Sequence, residues 1–390
     1  MVGDAQPLAE PRCFGRPRSA APAIGAAEVV VVGAGVGGSL LALVLARLGV
    51  RVTVVDLHAD YPDDFRCEKL NPEQAAMLAD LKVLDVFGGD ACALTQRGFR
   101  YDAMVAAVRA AWPKAVRFVV GRAMEVVRSP DLQTLVLASG ERIEGRLVVL
   151  ATGPSDKLRA GLGVRRNLVR ERHSVCIGFT LAPSAGAAFD FEGLVHHGEA
   201  AGDGMAFASF FPLDEGMRIN LFAYRGPREA WTVGFRDDPL ARLTEVMPGL
   251  APLLAGARLV GPAEIRATDL YETDGHAMDG VLLMGDAFRS CCPATGMGIT
   301  RILTEIRQLS RAHLPAWLAT PGMGVEKIAA FYADPTKRRI DARAARRAET
   351  GRLASMRTSL PWRARRGLAE LKRTVIAAAR KPASIEKQLS

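Results

Sequence analysis

The chain has little of what would make it a disulfide-stapled, metal-held or membrane-spanning protein. Its six cysteines, Cys13, Cys67, Cys92, Cys176, Cys291 and Cys292, fall into no CxxC or metal-ligand spacing across 390 residues. A disulfide scaffold and a cysteine metal site are excluded, and the absence of a secretory pattern near the start predicts a reducing, cytoplasmic compartment. Long apolar runs are missing too. The longest, Leu40 to Leu48, is broken by Arg47 and falls far short of the roughly 18 residues a spanning helix needs. Acidic charge is in deficit, 42 Asp and Glu against 51 Lys and Arg, a net of +9. The excess lies in residues 331–390, which carry 16 basic and 5 acidic side chains, leaving residues 1–330 at −2. A nucleic-acid partner is therefore not expected, because the folded part lacks a basic surface excess.

What is present is apolar bulk. At 49% hydrophobic residues the chain can fill the core of two packed domains. Residues 1–25, rich in Ala, Pro, Gly and Arg, read as a disordered leader. Val29 to Val32 is a continuous β-branched run that suits a parallel strand buried on both faces. A helix follows to Gly49, then a strand from Arg51 to Val55, which completes a βαβ unit. Pro72–Leu84 and Asp102–Ala111 read as helices, and Arg117–Val127, Thr134–Leu137 and Arg142–Ala151 as strands. Between about Ser174 and Ala267 the pattern shortens to alternating runs separated by Gly, Pro and Asp, as in an antiparallel sheet. Val281–Met284 returns to the buried-strand pattern and leads to a helix from Gly298 to His313. The expected organisation is a discontinuous nucleotide-binding domain, 26–173 with 268–330, an inserted sheet domain at 174–267, and a basic helical tail at 331–390.

The turn between the first strand and helix is Gly33-Ala34-Gly35-Val36-Gly37-Gly38. A strand feeding a helix through glycines aims unpaired N–H groups outward with the helix dipole behind them, which suits a pyrophosphate. Gly33 permits the tight turn, Gly35 admits the phosphate, and Gly38 lets helix and strand pack closely. Asp56, ending the second strand, is placed to accept from ribose hydroxyls. The strand–turn–helix–acid context makes this a dinucleotide site, without separating FAD from NAD.

A second motif makes that choice: Gly285-Asp286-Ala287-Phe288-Arg289-Ser290-Cys291-Cys292-Pro293-Ala294-Thr295-Gly296-Met297-Gly298-Ile299-Thr300. It resembles the Gly-Asp segment of the FAD-dependent aromatic hydroxylases, the group A flavoprotein monooxygenases, a family that includes p-hydroxybenzoate hydroxylase-like and ubiquinone-pathway enzymes. The spacing agrees throughout. Arg289, Phe288, Met297 and Thr300 replace the family's usual His, Ala, Gln and Asn. The resemblance implies that Asp286 binds the ribityl or pyrophosphate region of FAD, and that Pro293 and Gly296 to Ile299 open a helix facing the flavin pyrimidine. Phe65-Arg66-Cys67-Glu68 resembles the family's Arg-x-Glu stretch, whose Arg, here Arg66, contacts FAD. Thr152-Gly153 to Arg159 resembles its Asp-Gly segment, with Thr152 and Asp156 in place of Asp and Ser.

The implied fold is α/β, a Rossmann-like FAD-binding domain with a parallel central sheet, an inserted antiparallel substrate sheet and a helical tail. The implied reaction uses NADH or NADPH and O₂, through a flavin C4a-hydroperoxide, to hydroxylate an aromatic or lipophilic small molecule. Phe179, Phe207, Phe210, Phe211, Phe222 and Tyr224 are candidate pocket residues, although aromatics at alternate strand positions are usually core. No general base stands out among His173, His196, His197 and His276, and Cys291 and Cys292 read as buried, inert thiols. An isoprenoid double-bond reductase of the geranylgeranyl reductase type, or a non-catalytic lipid binder, would share these motifs. A flavin halogenase is disfavoured because no Trp-x-Trp-x-Ile-Pro segment occurs. Between Arg363 and Arg380, Leu368, Leu371, Val375 and Ala379 share a helical face opposite basic residues, a pattern for peripheral contact with anionic lipid or an acidic partner, or for packing on the domain.

Overall fold

The computed structural model describes residues 27–184, 188–200 and 202–368. The expected leader and most of the Arg363–Arg380 stretch lie outside the described residues.

Fourteen strands form three sheets among those residues. β1 (Ala27–Val32) and β2 (Val52–Asp56) flank the first helix, Val36–Arg47, and β3 (Cys67–Lys69) pairs with β4 (Gly98–Arg100) in a small ribbon. β5 (Arg117–Val120), β6 (Ala123–Val127), β7 (Gln133–Leu137) and β8 (Arg142–Leu150) extend the first sheet in the order β5-β2-β1-β8-β7-β6. β9 (Arg165–Ala182), β10 (Leu194–His197), β11 (Met205–Leu213), β12 (Gly216–Ala223) and β13 (Arg258–Asp274) make the second, in the order β10-β11-β12-β9-β13. β14 (Val281–Leu283) returns to the first sheet beside β8.

β1, β2, β5, β8 and β14 pair in parallel, and Val29 to Val31 are fully buried, as a strand covered on both faces requires. The second sheet is antiparallel throughout. Its long members β9 and β13 run as a paired ribbon from Arg165↔Asp274 to Ala182↔Arg258, past the 174–267 limits read from the alternation. The expected helix Pro72–Leu84 stops at Asp80, because Lys82 takes a left-handed φ of 58° that no helix continues. The expected strand Arg117–Val127 is two strands, interrupted at Gly121-Arg122. The Gly298 helix is regular to Arg307 and continues as a π-helical turn over Gln308–His313.

The C-terminal helix Pro335–Met356 begins with Pro at its first position, where the missing N–H costs nothing, and Asp334 caps the Thr336 and Lys337 amides. Ile340, Ala344 and Ala348 recur every fourth residue on its buried face. Ile340 and Ala344 pack on Met297, and Ala348 joins Tyr224 and Cys292. The helix thus straps the Gly296–Ile299 loop to the second sheet.

Candidate functional site

The glycine turn leaves β1 with φ +98° at Gly33, where an added Cβ would sit 2.5 Å from the Ala151 carbonyl oxygen. At Gly38 it would lie 1.9 Å from the Gly33 oxygen. Both positions exclude a side chain, so the helix can sit against the β1–β8 edge. The helix begins with no side-chain cap and no acid in its first turn, leaving its positive end for an anion. Asp56 braces this turn: its carboxylate accepts from the Ala34 amide at 2.6 Å and the His58 amide at 3.0 Å. Arg109, which the sequence did not single out, donates to the Ala34 carbonyl at 2.8 Å and lies 3.8 Å from Asp56. Its distance from the turn in sequence gave no signal.

In front of the turn lies a cavity of about 300 Å³ walled by Gly33, Gly35, Val36 and Gly37 on one side and by Thr152, Gly153, Gly285 and Asp286 on another. A second cavity of about 250 Å³ continues under the sheet, between Cys176, Asn220 and Phe222 above and Pro293, Gly296, Gly298 and Ile299 opposite. Arg66, Glu68, Gly298 and Ile299 line both. Of the residues singled out in sequence, Asp56, Gly38 and Met297 do not face these cavities. Gly38 is taken up by packing, and Met297 lies buried under the C-terminal helix.

Side chains from distant segments hold this channel in shape. The Arg66 guanidinium stacks 3.6 Å from the Tyr101 ring centroid and donates to the Tyr61 hydroxyl at 2.9 Å, while the Tyr101 hydroxyl accepts from the Val36 amide at 3.3 Å. Arg159 is buried and donates to the Ala287 carbonyl at 2.8 Å and the Asp286 carbonyl at 3.3 Å. It therefore ties the Thr152-Gly153 segment to the Gly-Asp turn. Glu305 accepts from the Gly285 amide at 2.7 Å and is held by Lys337 at 2.7 Å, with Lys337 also on Asp341 at 3.0 Å. Gln74, from the Asn71-capped helix, donates to the Gly296 carbonyl at 3.2 Å and the Thr300 hydroxyl at 3.1 Å. Thr300, which stands where the resemblance expects Asn, therefore has a partner of its own.

Electrostatically the channel is uneven. Asp286 lines the first cavity, and desolvation raises its pKa, opposed by Arg301 and Arg66. Glu68, where the two cavities join, is pushed by burial from 4.5 up to about 7. The sequence showed the Arg-x-Glu pattern but not this enclosure. Burial also pushes the Cys67 and Cys292 thiols up to about 11 and Cys176 to about 12, so all three stay protonated at neutral pH, as inert thiols should. Phe179, Phe210 and Phe211 are core. Phe222 lines the second cavity, and Phe207 and Tyr224 line a third.

The residues present fit FAD. Two uncapped helix N-termini, at Val36 and Gly298, lead into one channel. An added Cβ at Gly296 or Gly298 would meet no protein atom within 4 Å, so the wall there is bare backbone facing open space. The first helix and the Gly33 turn would hold the pyrophosphate, and the Gly298 amide end the pyrimidine side of the ring.

Residues 26–98 match a family model described as FAD binding domain. Protein FixC of Salmonella typhi is 25% identical over 312 residues, 68% of this chain and 70% of that protein. The 3-demethoxyubiquinol 3-hydroxylase of Escherichia coli K12 is 29% identical over 174 residues, 35% of this chain and 44% of that protein. Among solved structures, p-nitrophenol 4-monooxygenase PnpA from Pseudomonas putida superposes with a TM-score of 0.67 at 17% identity, covering 87% of this chain and 92% of that one. The chain carries an FAD-binding domain and has the fold of that monooxygenase. Among the described residues, no helix is long and apolar enough to cross a membrane.

Proposed function

We propose that this FAD-binding oxidoreductase is a monooxygenase that hydroxylates an aromatic or lipophilic small molecule with electrons from NADH or NADPH. The observation that carries the reading is the second cavity: it continues directly from the dinucleotide channel and is roofed by the antiparallel sheet through Cys176, Asn220 and Phe222. A chamber roofed in part by apolar groups beside the reactive end of a flavin limits the water at the reacting centre. Bound FAD would supply the electron pair and the carbon at which oxygen is activated. The protein supplies position and charge. The Gly298 helix presents its positive end to the channel, which favours negative charge there, and Glu68, with a pKa near 7, can hold or release a proton at its carboxyl under working conditions.

The test is single-turnover oxidation of flavin-loaded protein, reduced anaerobically with NADH or NADPH and then exposed to isotope-labelled O₂ with candidate substrates. Labelled oxygen in the product supports hydroxylation. Turnover that ignores oxygen and saturates a polyprenyl double bond would replace it with the reductive reading.

A further inference from the structure

A third cavity, of about 680 Å³, lies across the Ala294-Thr295 segment from the flavin channel, between the β10–β11 edge and the C-terminal helix. Five arginines line it: Arg343, Arg346, Arg347, Arg365 and Arg366. None of its lining residues is acidic. Arg343 pairs with Glu73 at 3.1 Å and Arg366 acts on the Asp203 carboxylate, but Arg346, Arg347 and Arg365 have no carboxylate partner among the described residues. Arg347 rests 3.2 Å from the Met297 sulfur, Arg365 lies over the Trp362 ring, and Arg366 donates to the Ala354 and Arg357 carbonyls. The second terminal nitrogen of Arg366 is buried without a hydrogen-bond partner.

Three guanidiniums without a carboxylate, joined by Arg343 and Arg366, stand around one concavity and repel one another, and the cost falls when an anion enters. The floor is of opposite character, formed by Met205, Phe207 and Tyr224. The Phe207 ring packs 5.0 Å from Phe222, which lines the flavin chamber. Ala294 and Thr295 sit between Pro293 and Gly296 of that same chamber. We infer that this cavity binds an amphipathic anion, its carboxylate or phosphate head on the arginines of the C-terminal helix and its apolar body on the aromatic floor. The cavity shares no lining residue with the flavin chamber, so the inference goes beyond the oxidoreductase reading and does not rest on it. A volume of this size accommodates one small amphiphile, and arginine's fixed fork of donors suits either head group.

Calorimetric titration of the full-length, flavin-loaded protein with decanoate, decyl phosphate, decanol and inorganic phosphate tests it. Decanoate and decyl phosphate are expected to bind about tenfold or more tighter than decanol, and inorganic phosphate alone weakly. A preference between the two anions identifies the head group. The Arg346→Gln/Arg347→Gln double variant should lose about tenfold for both anions and nothing for decanol, and Lys at both positions should recover most of it. If the double variant fails to fold, Arg346→Gln alone, with a several-fold loss, carries the test. Equal affinity for decanol and the anions, or full anion affinity in the variants, overturns the inference. Binding of inorganic phosphate as tight as that of decyl phosphate overturns its amphipathic part. FAD titration of the same preparation, read by visible absorbance, keeps the outcomes apart: protein that takes up FAD but no anion sinks this inference alone. Protein that takes up no FAD sinks the oxidoreductase reading and leaves the anion data standing.

Discussion

The two ends of the channel are built on different principles. At the Gly33–Gly38 turn the wall is backbone: strand, glycines and helix are contiguous, and an added Cβ would collide with other backbone at 1.9 and 2.5 Å. At the Glu68–Gly298 end the channel is shaped by side chains from segments far apart in sequence, Arg66, Gln74 and Asn220 among them, and Arg159, Glu305 and Lys337 brace the Gly285–Ala287 turn in the same way. The first end is fixed by close backbone packing, with Asp56, Arg109 and Tyr101 as outer braces. The second is held by buried charge pairs and long-range hydrogen bonds, so single side-chain substitutions should loosen it without disturbing the first.

The largest effect is expected at the charge cluster. Lys337 is 1% exposed and joins Glu305, 0% exposed, to Asp341. Lys337→Met strands the Glu305 charge, and breaking a buried pair this way costs about 3–5 kcal/mol. Denaturant unfolding should register that loss, and adding Glu305→Gln should recover part of it. Full stability in Lys337→Met would mean the cluster does not hold the Gly285 turn. Next in size is Gly38→Ala, where overpacking against the Gly33 carbonyl should cost about 2–3 kcal/mol and abolish FAD uptake. A folded, yellow Gly38→Ala protein would show that the turn can relax, contrary to the backbone principle at that end.

This contrast accounts for what was legible in the sequence. The βαβ unit and the glycine turn are local, and each position of the motif has a steric reason that can be read in order along the chain. The Gly285–Ile299 segment was readable through its resemblance, at matching spacings, to a known family's Gly-Asp segment. Gln74 reaching Thr300, Arg159 reaching Ala287 and Lys337 reaching Glu305 are contacts between residues that no local pattern relates. The C-terminal helix was the hardest to read. Its Arg346 and Arg347 are exposed and, with Arg343, line a cavity, while among its apolar residues only Ile340, Ala344 and Ala348 are buried. A narrow stripe of small residues carries little hydrophobic signal, so the sequence shows the helix without showing what it covers.

A smaller effect should appear with pH. Burial raises the folded-state pKa of Glu68 from 4.5 to about 7, so the fold favours its neutral form. Its contribution is fully present below 4.5 and is lost as pH rises through about 7, because the unfolded chain releases the proton first. Glu68→Gln should flatten stability across that window and leave the protein more stable than wild type above pH 7, as measured by thermal unfolding at several pH values. An unchanged pH profile would place the titration elsewhere. Because Glu68 stands at the join of the two cavities, FAD uptake at the pyrophosphate end should survive the substitution.

The smallest effect on stability is the most direct test of the comparison, because it repeats the same chemical change at the other end. Gly298 opens a helix, and an added Cβ there meets nothing within 4 Å. Gly298→Ala should therefore leave unfolding stability within about 0.5 kcal/mol of wild type, or raise it slightly through the lower entropy of the unfolded chain. The methyl would project into the channel, where the flavin ring is expected against bare backbone. FAD affinity should fall about tenfold, a loss of about 1.4 kcal/mol, while the melting temperature of the apoprotein holds. Gly38→Ala would thus lose fold and cofactor together, and Gly298→Ala the cofactor alone. If Gly298→Ala binds FAD as tightly as wild type, the ring does not lie against the Gly298 end, and the assignment of the second cavity to the flavin's reactive side fails with it.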